Sequence, residues 1–155
     1  MIAALIDSAV ILESLEATAK EEALGAALQA AVEAGRLAKK DLAAVRKRLL
    51  EREAMGSTGI GNGIAVPHVK GKEIRQMSLV LARVPKSLNF QAIDGRPVHT
   101  IFLLLAPPDD PEAHLKVLRW ISSLARNPDF RKFVVTAKDA KEIRELLHEM
   151  SGPKA

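Results

Sequence analysis

The chain has no cysteine among its 155 residues. That absence removes disulfides, thiolate metal sites and cysteine nucleophiles from consideration. Aromatic residues are nearly missing too, at 3%. The core must therefore be built of Ala, Leu, Val and Ile, and no aromatic platform is on offer for stacking bases. Long hydrophobic runs are lacking as well: the longest strongly apolar stretch, Ile101 to Ala106, is far too short to span a bilayer. No basic residue precedes Asp7 and Glu13, so the N-terminus does not read as a secretory leader. These absences predict a soluble, cytoplasmic protein with no direct insertion into a membrane.

What is present is ordinary for a globular chain: 48% hydrophobic and 27% charged residues. The length suits one domain over residues 1–155, large enough to bury a core. A net charge of +4 raises the question of an anionic partner. The basic clusters are Arg46-Lys47-Arg48 and Lys70 to Arg75, but from Lys47 to Glu53 basic and acidic residues alternate. Such alternation is the pattern of a solvated helix face, and nucleic acid is not an expected partner.

Strands and helices mix along the chain. Ala9 to Leu12 reads as an edge strand. Thr18 with Glu21 reads as a capping box opening a helix to about Ala34, which Gly35 stops. A second helix, about Lys39 to Arg52, carries Leu42, Val45, Leu49 and Leu50 at helical spacing. Met77 to Val84 and Val98 to Ala106 read as buried strands, the latter ended by Pro107-Pro108. Asp94-Gly95 reads as a tight turn. Asp109 or Asp110 caps a helix from about Pro111 with an apolar face of Leu115, Leu118, Ile121 and Leu124. Pro128 opens a short helix through Phe133, and Asp139 caps a last one bearing Ile143, Leu146 and Leu147. The fold class is α/β, a small mixed sheet flanked by helices.

The most informative stretch runs from Gly56 through Ser57, Thr58, Gly59, Ile60, Gly61, Asn62, Gly63, Ile64, Ala65, Val66 and Pro67 to His68. Its four glycines in eight positions provide backbone able to approach a ligand closely and aim several N–H groups into one space. Pro67 is expected to stop a short strand and hold His68 stiffly at its tip. An imidazole beside an anion cradle points to phosphate chemistry on the histidine. Other readings fail on context. A P-loop would need a Lys-Ser/Thr pair and a preceding strand. A metal hydrolase needs more ligands than His68 and His114 supply, and a serine hydrolase lacks its nucleophile elbow.

The run Arg52-Glu53-Ala54-Met55 through the glycine segment to His68 resembles the active-site motif of the fructose/mannitol-type (type 2) enzyme IIA domains. These belong to the bacterial phosphoenolpyruvate-dependent phosphotransferase system and include a nitrogen-regulatory branch. The likeness continues through Phe90 to Val98, Ile101 to Pro107 and His114-Leu115, and so covers most of the chain from about Leu49.

The resemblance implies the fructose/mannitol-type IIA fold and a phosphocarrier. His68 would accept a phosphoryl group from the histidine phosphocarrier protein and pass it to a IIB domain or use it to control a regulatory target protein. A neutral imidazole is an able nucleophile near neutral pH. His114 would sit beside His68 and donate to the phosphate, and Arg52, otherwise a partner for Glu51 or Glu53, would compensate its charge. Thr58, more than Ser57, would add a hydroxyl, while Gly61 and Gly63 would shape the phosphate loop. Val69 is expected to narrow the site and Lys70 to add charge at its rim. His99, His148 and Asp94 read as structural. No metal or cofactor is implied. The stand-alone length favours the nitrogen-regulatory branch; the alternatives are a sugar-specific IIA component and a non-catalytic binding module.

Overall fold

The structure is a computed structural model that describes residues 1–151; residues 152–155 of the expected unit lie outside the described residues. In chain order the elements are α1 (Ile2–Ser8), β1 (Val10–Leu12), α2 (Lys20–Glu33), a 3-10 turn (Lys39–Asp41) and α3 (Leu42–Met55). Four strands follow in quick succession: β2 (Gly59–Gly61), β3 (Ile64–Ala65), β4 (His68–Lys70) and β5 (Ser78–Leu88). The chain ends with β6 (Val98–Ala106), α4 (Pro111–Arg126), α5 (Pro128–Thr136) and α6 (Ala140–Ser151).

The sheet is mixed, as the sequence predicts, in the order β1-β5-β6-β3-β2 with β4 also paired to β6. β6 is its spine: it runs antiparallel to β5 and parallel to both β3 and β4. Both faces of β5 and β6 are covered, which is why their sequences read as continuous apolar runs rather than alternating ones. Val80, Ala82, Ile101, Leu103 and Leu105 pack with Leu24, Leu28, Val45 and Leu49 of α2 and α3. Leu79, Leu81, Phe102 and Leu104 pack with Val117, Ile121, Phe130, Val134, Ile143 and Leu147 of α4, α5 and α6. The result is three layers, with α1 joining the second helical layer through Leu5 and Ile6.

Several local expectations shift. α2 opens one residue later, at Ala19, and the returning carboxylate is Glu22, which accepts from the Thr18 N–H at 2.8 Å. Its end is a Schellman motif: Gly35 has φ +76°, and the Arg36 N–H reaches the Ala31 carbonyl at 2.8 Å. β5 continues past Val84 to Leu88. Pro85 is tolerated because β1 pairs only with Val80 to Ala82, and the register with β6 shifts between Arg83 and Leu88. On α4 the buried face is His114, Val117, Ile121 and Leu124, while Leu115 is exposed. α5 runs on to Thr136.

Asp110 and Asp139 cap as expected. Asp110 Oδ1 accepts from the Ala113 N–H at 3.1 Å, and Asp139 Oδ1 from the Glu142 N–H at 3.0 Å. The unexpected element is α1, whose closing carbonyls are held from elsewhere. Arg144 donates to Ile6, Asp7 and Ala9, and Arg36 donates to Ser8.

Candidate functional site: a pair of facing imidazoles

The glycine-rich segment folds as a hairpin before it reaches His68. Asn62 and Gly63 both have positive φ, 58° and 78°, as a tight two-residue hairpin turn requires. They join β2 to β3, and the Asn62-Gly63 pair is the sequence signal that could have revealed the hairpin. Two packing constraints hold the glycines. A Cβ on Gly59 would lie 2.7 Å from that of Ala92, and one on Gly63 would overlap the His99 ring. Asp94 ties the turn down, its Oδ2 accepting from the Asn62 N–H at 2.9 Å and its Oδ1 from the Arg96 N–H at 3.0 Å.

The strand expected to end in His68 is in fact two. β3 stops at Ala65, Val66-Pro67 forms the break, and His68 opens β4 rather than closing a strand. Because proline lacks an N–H, the ladder is carried across the break by its carbonyl, which accepts from the Leu104 N–H at 2.9 Å. Alternation along β4 then decides direction. Val69 turns into the α2/α3 core, so it does not narrow the site, while His68 is partly buried and Lys70 exposed.

His68 meets His114 on this side of the sheet. Their ring centroids lie 5.4 Å apart, edge to face, with an interplanar angle of 67°. His68 Nδ1 lies 2.8 Å from the Val66 carbonyl. A carbonyl only accepts, so Nδ1 carries a proton, and in the neutral form of the ring this leaves the Nε2 lone pair free. His114 comes from the first turn of α4 and is 6% exposed. Burial, then the nearby Lys70 charge, then His68 push its pKa down from 6.5 to about 4, so it is neutral at pH 7. Its Nε2 is buried with no hydrogen-bond partner. An orphaned polar atom of that kind calls for an incoming hydrogen-bond partner.

The other expected site residues are not gathered here. Arg52 is exposed on α3, the helix on the opposite face of the sheet, and donates to the Gly56 carbonyl at 2.8 Å. Thr58 is buried, and its hydroxyl donates to Glu53 Oε2 at 2.7 Å, so it is not free for a phosphate. Gly61 and Gly63 sit at the hairpin. Ile64 is in register with Thr100 and His68 with Leu104, a separation of about 13 Å along β6 at ~3.3 Å per residue. Gly63 presents its carbonyl to the N–H groups of His99 and Thr100. His99 is lowered in pKa by burial and pairs with Thr100 Oγ1 at 2.7 Å, and His148 meets Asp7 at 2.7 Å. Glu53 is the residue that sequence reading missed. It looks like a helix-surface partner for Arg52, yet it is buried and paired with Lys20 at 3.0 Å.

Fold and site together define an α/β/α protein with a mixed sheet and a paired-imidazole site at the first residue of β4. Comparison with known proteins makes that class particular. The family model described as "Phosphoenolpyruvate-dependent sugar phosphotransferase system, EIIA 2" matches residues 4–150, and the chain belongs to that family. It is 35% identical over 143 residues to a nitrogen regulatory protein of Bradyrhizobium diazoefficiens, covering 92% of each chain. To a fructose-specific EIIA component of Haloferax volcanii it is 33% identical over 131 residues, covering 84% of each. The crystal structure of the nitrogen regulatory protein IIA-Ntr from Neisseria meningitidis superposes with a TM-score of 0.82 at 29% identity, covering 94% of this chain and 98% of that one. Among the described residues no helix is long and apolar enough to cross a membrane.

Proposed function

We propose that the protein is a phosphocarrier that takes a phosphoryl group onto His68 Nε2 from the phosphohistidine of a histidine phosphocarrier protein in the cytoplasm. The observation that carries this reading is the opposed imidazole pair, one ring with a free Nε2 lone pair and the other with a buried, unpartnered Nε2. The lone pair attacks phosphorus in line, forming the new N–P bond as the donor's N–P bond breaks. Its electron pair returns to the donor imidazole. His68 keeps its Nδ1 proton on the Val66 carbonyl throughout, so transfer needs no proton acceptor. A loose transition state asks chiefly for placement and for charge on the equatorial oxygens. His114 supplies a neutral N–H donor there, and Lys70 a positive charge at the rim.

A nitrogen-regulatory role is the preferred reading, in which phosphorylation controls binding to a target protein. It is supported by the 35% identity to a nitrogen regulatory protein across 92% of both chains. The fructose-specific relative supports a second reading, delivery of the group to a IIB domain. The test is intact-protein mass after incubation with phosphoenolpyruvate, enzyme I and the histidine phosphocarrier. One acid-labile phosphoryl group is expected on the wild type and none on His68→Ala. Modification of both at equal rates would overturn the assignment, and chase with a IIB acceptor separates the two roles.

A further inference from the structure

We propose that the buried Lys20–Glu53 pair is a positioning device: acting through Thr58 and Val66, it holds His68 in the tautomer whose Nε2 is the nucleophile. The inference rests on the phosphocarrier reading of His68 and deepens it.

The connection is continuous. Lys20 Nζ donates to Glu53 Oε1 at 3.0 Å, and the same oxygen accepts from the Thr58 N–H at 2.8 Å. Glu53 Oε2 accepts from the Thr58 hydroxyl at 2.7 Å. The Thr58 carbonyl in turn holds the Val66 N–H at 2.9 Å, and the Val66 carbonyl holds His68 Nδ1 at 2.8 Å. Each link removes a degree of freedom. The carboxylate clamps Thr58 at two points, and Thr58 anchors the strand pair leading to Val66. Pro67 confines Val66 to extended backbone. The carbonyl facing His68 therefore cannot swing away.

Stability alone does not account for such a pair. The side chains of Lys20 and Glu53 are only 10% and 3% exposed, and Lys20 lies over the Phe90 ring at 4.6 Å to the centroid. Two buried charges generally do no better for stability than well-packed apolar side chains of similar size. What a charged clamp adds is directional hold on Thr58, which an apolar pair would not have. Losing that hold would let the imidazole rotate or take the Nε2–H form, in which the attacking nitrogen is blocked.

The experiment compares wild type, Lys20→Met/Glu53→Leu and Thr58→Val by nitrogen-15 NMR of the His68 ring and by the kinetics of phosphoryl transfer from the phosphorylated histidine phosphocarrier. The double variant removes both charges together, so no ion is stranded. In the wild type His68 should be the Nδ1–H tautomer. In both variants the Nε2–H form should rise and kcat fall by about tenfold to a hundredfold, with KM for the donor little changed. An Nε2–H tautomer in the wild type overturns the proposal without any variant having to fold. So does a folded variant with unchanged tautomer and kcat; if the double variant does not fold, Thr58→Val decides. A wild type that shows the Nδ1–H form yet accepts no phosphoryl group would sink the phosphocarrier reading instead, while the tautomer comparison still judges the clamp.

Discussion

His68 and His114 show how two residues of one type acquire different character from their surroundings. The Val66 carbonyl occupies Nδ1 of the first, while burial and the Lys70 charge keep the second uncharged. A neutral His114 can donate one N–H without repelling the Lys70 ammonium beside it. Removing the donor should cost transition-state stabilisation. His114→Ala is expected to lower kcat for phosphoryl acceptance by about a hundredfold, the usual range for one well-placed donor. His114→Gln, whose amide nitrogen reaches the Nε2 position, should restore much of it. Stopped-flow transfer from the phosphorylated donor measures both, and equal rates for Ala and Gln would remove His114 from the donor role. The break before His68 was legible in the sequence because the Pro-His junction and its glycine-rich approach are local. Glu53 was not: nothing in a helix-end Arg-Glu pair says which of the two faces inward, and Lys20, its partner, lies 33 positions away.

At the scale of the element, turns and caps decide where chemistry can stand. The Asn62-Gly63 hairpin lets β3 and β4 lie along one edge of β6, and Pro67 resets the strand so that His68 begins it. Gly63→Ala would force an alanine to φ near +78° and drive its Cβ into His99. A loss of about 2 kcal/mol or more is expected from the backbone conformation and the overlap together, measured by urea denaturation; an unchanged midpoint would contradict the packing described. The short α1 is a different case. With seven residues and only Leu5 and Ile6 buried, it has little claim to helicity by itself. Arg144 binds two of its closing carbonyls, those of Ile6 and Asp7, and that of the C-cap residue Ala9. Arg144→Ala should destabilise the protein by about 2 kcal/mol and raise hydrogen exchange in α1 before the sheet. Protection of α1 equal to that of the wild type would mean the apolar contacts suffice. This is also why α1 escaped the sequence reading: its support comes from α6, at the other end of the chain.

For the whole molecule, the buried histidines couple stability to pH. His114 titrates at about 4 when folded against 6.5 as its ordinary value, and His99 is shifted in the same direction. As pH falls below 6.5 the unfolded chain takes up protons that the folded one refuses, so stability falls with pH down to about 4. Above 6.5 these groups contribute no slope. Urea midpoints at pH 7 and pH 5 should therefore differ more in the wild type than in His114→Gln, and identical differences would deny the shift. The sequence by itself determined the α/β class, the two central strands and where four of the six described helices, α2, α4, α5 and α6, begin. Each of these rests on period, capping residues or turn chemistry within a few positions. Only the tertiary structure decided the edge-to-face geometry of His68 and His114, the inward turn of Glu53 onto Lys20, and the separation of Gly61 and Gly63 from the imidazoles. Those outcomes depend on which face of a strand or helix meets the core and on contacts between distant segments, and local pattern carries no record of either.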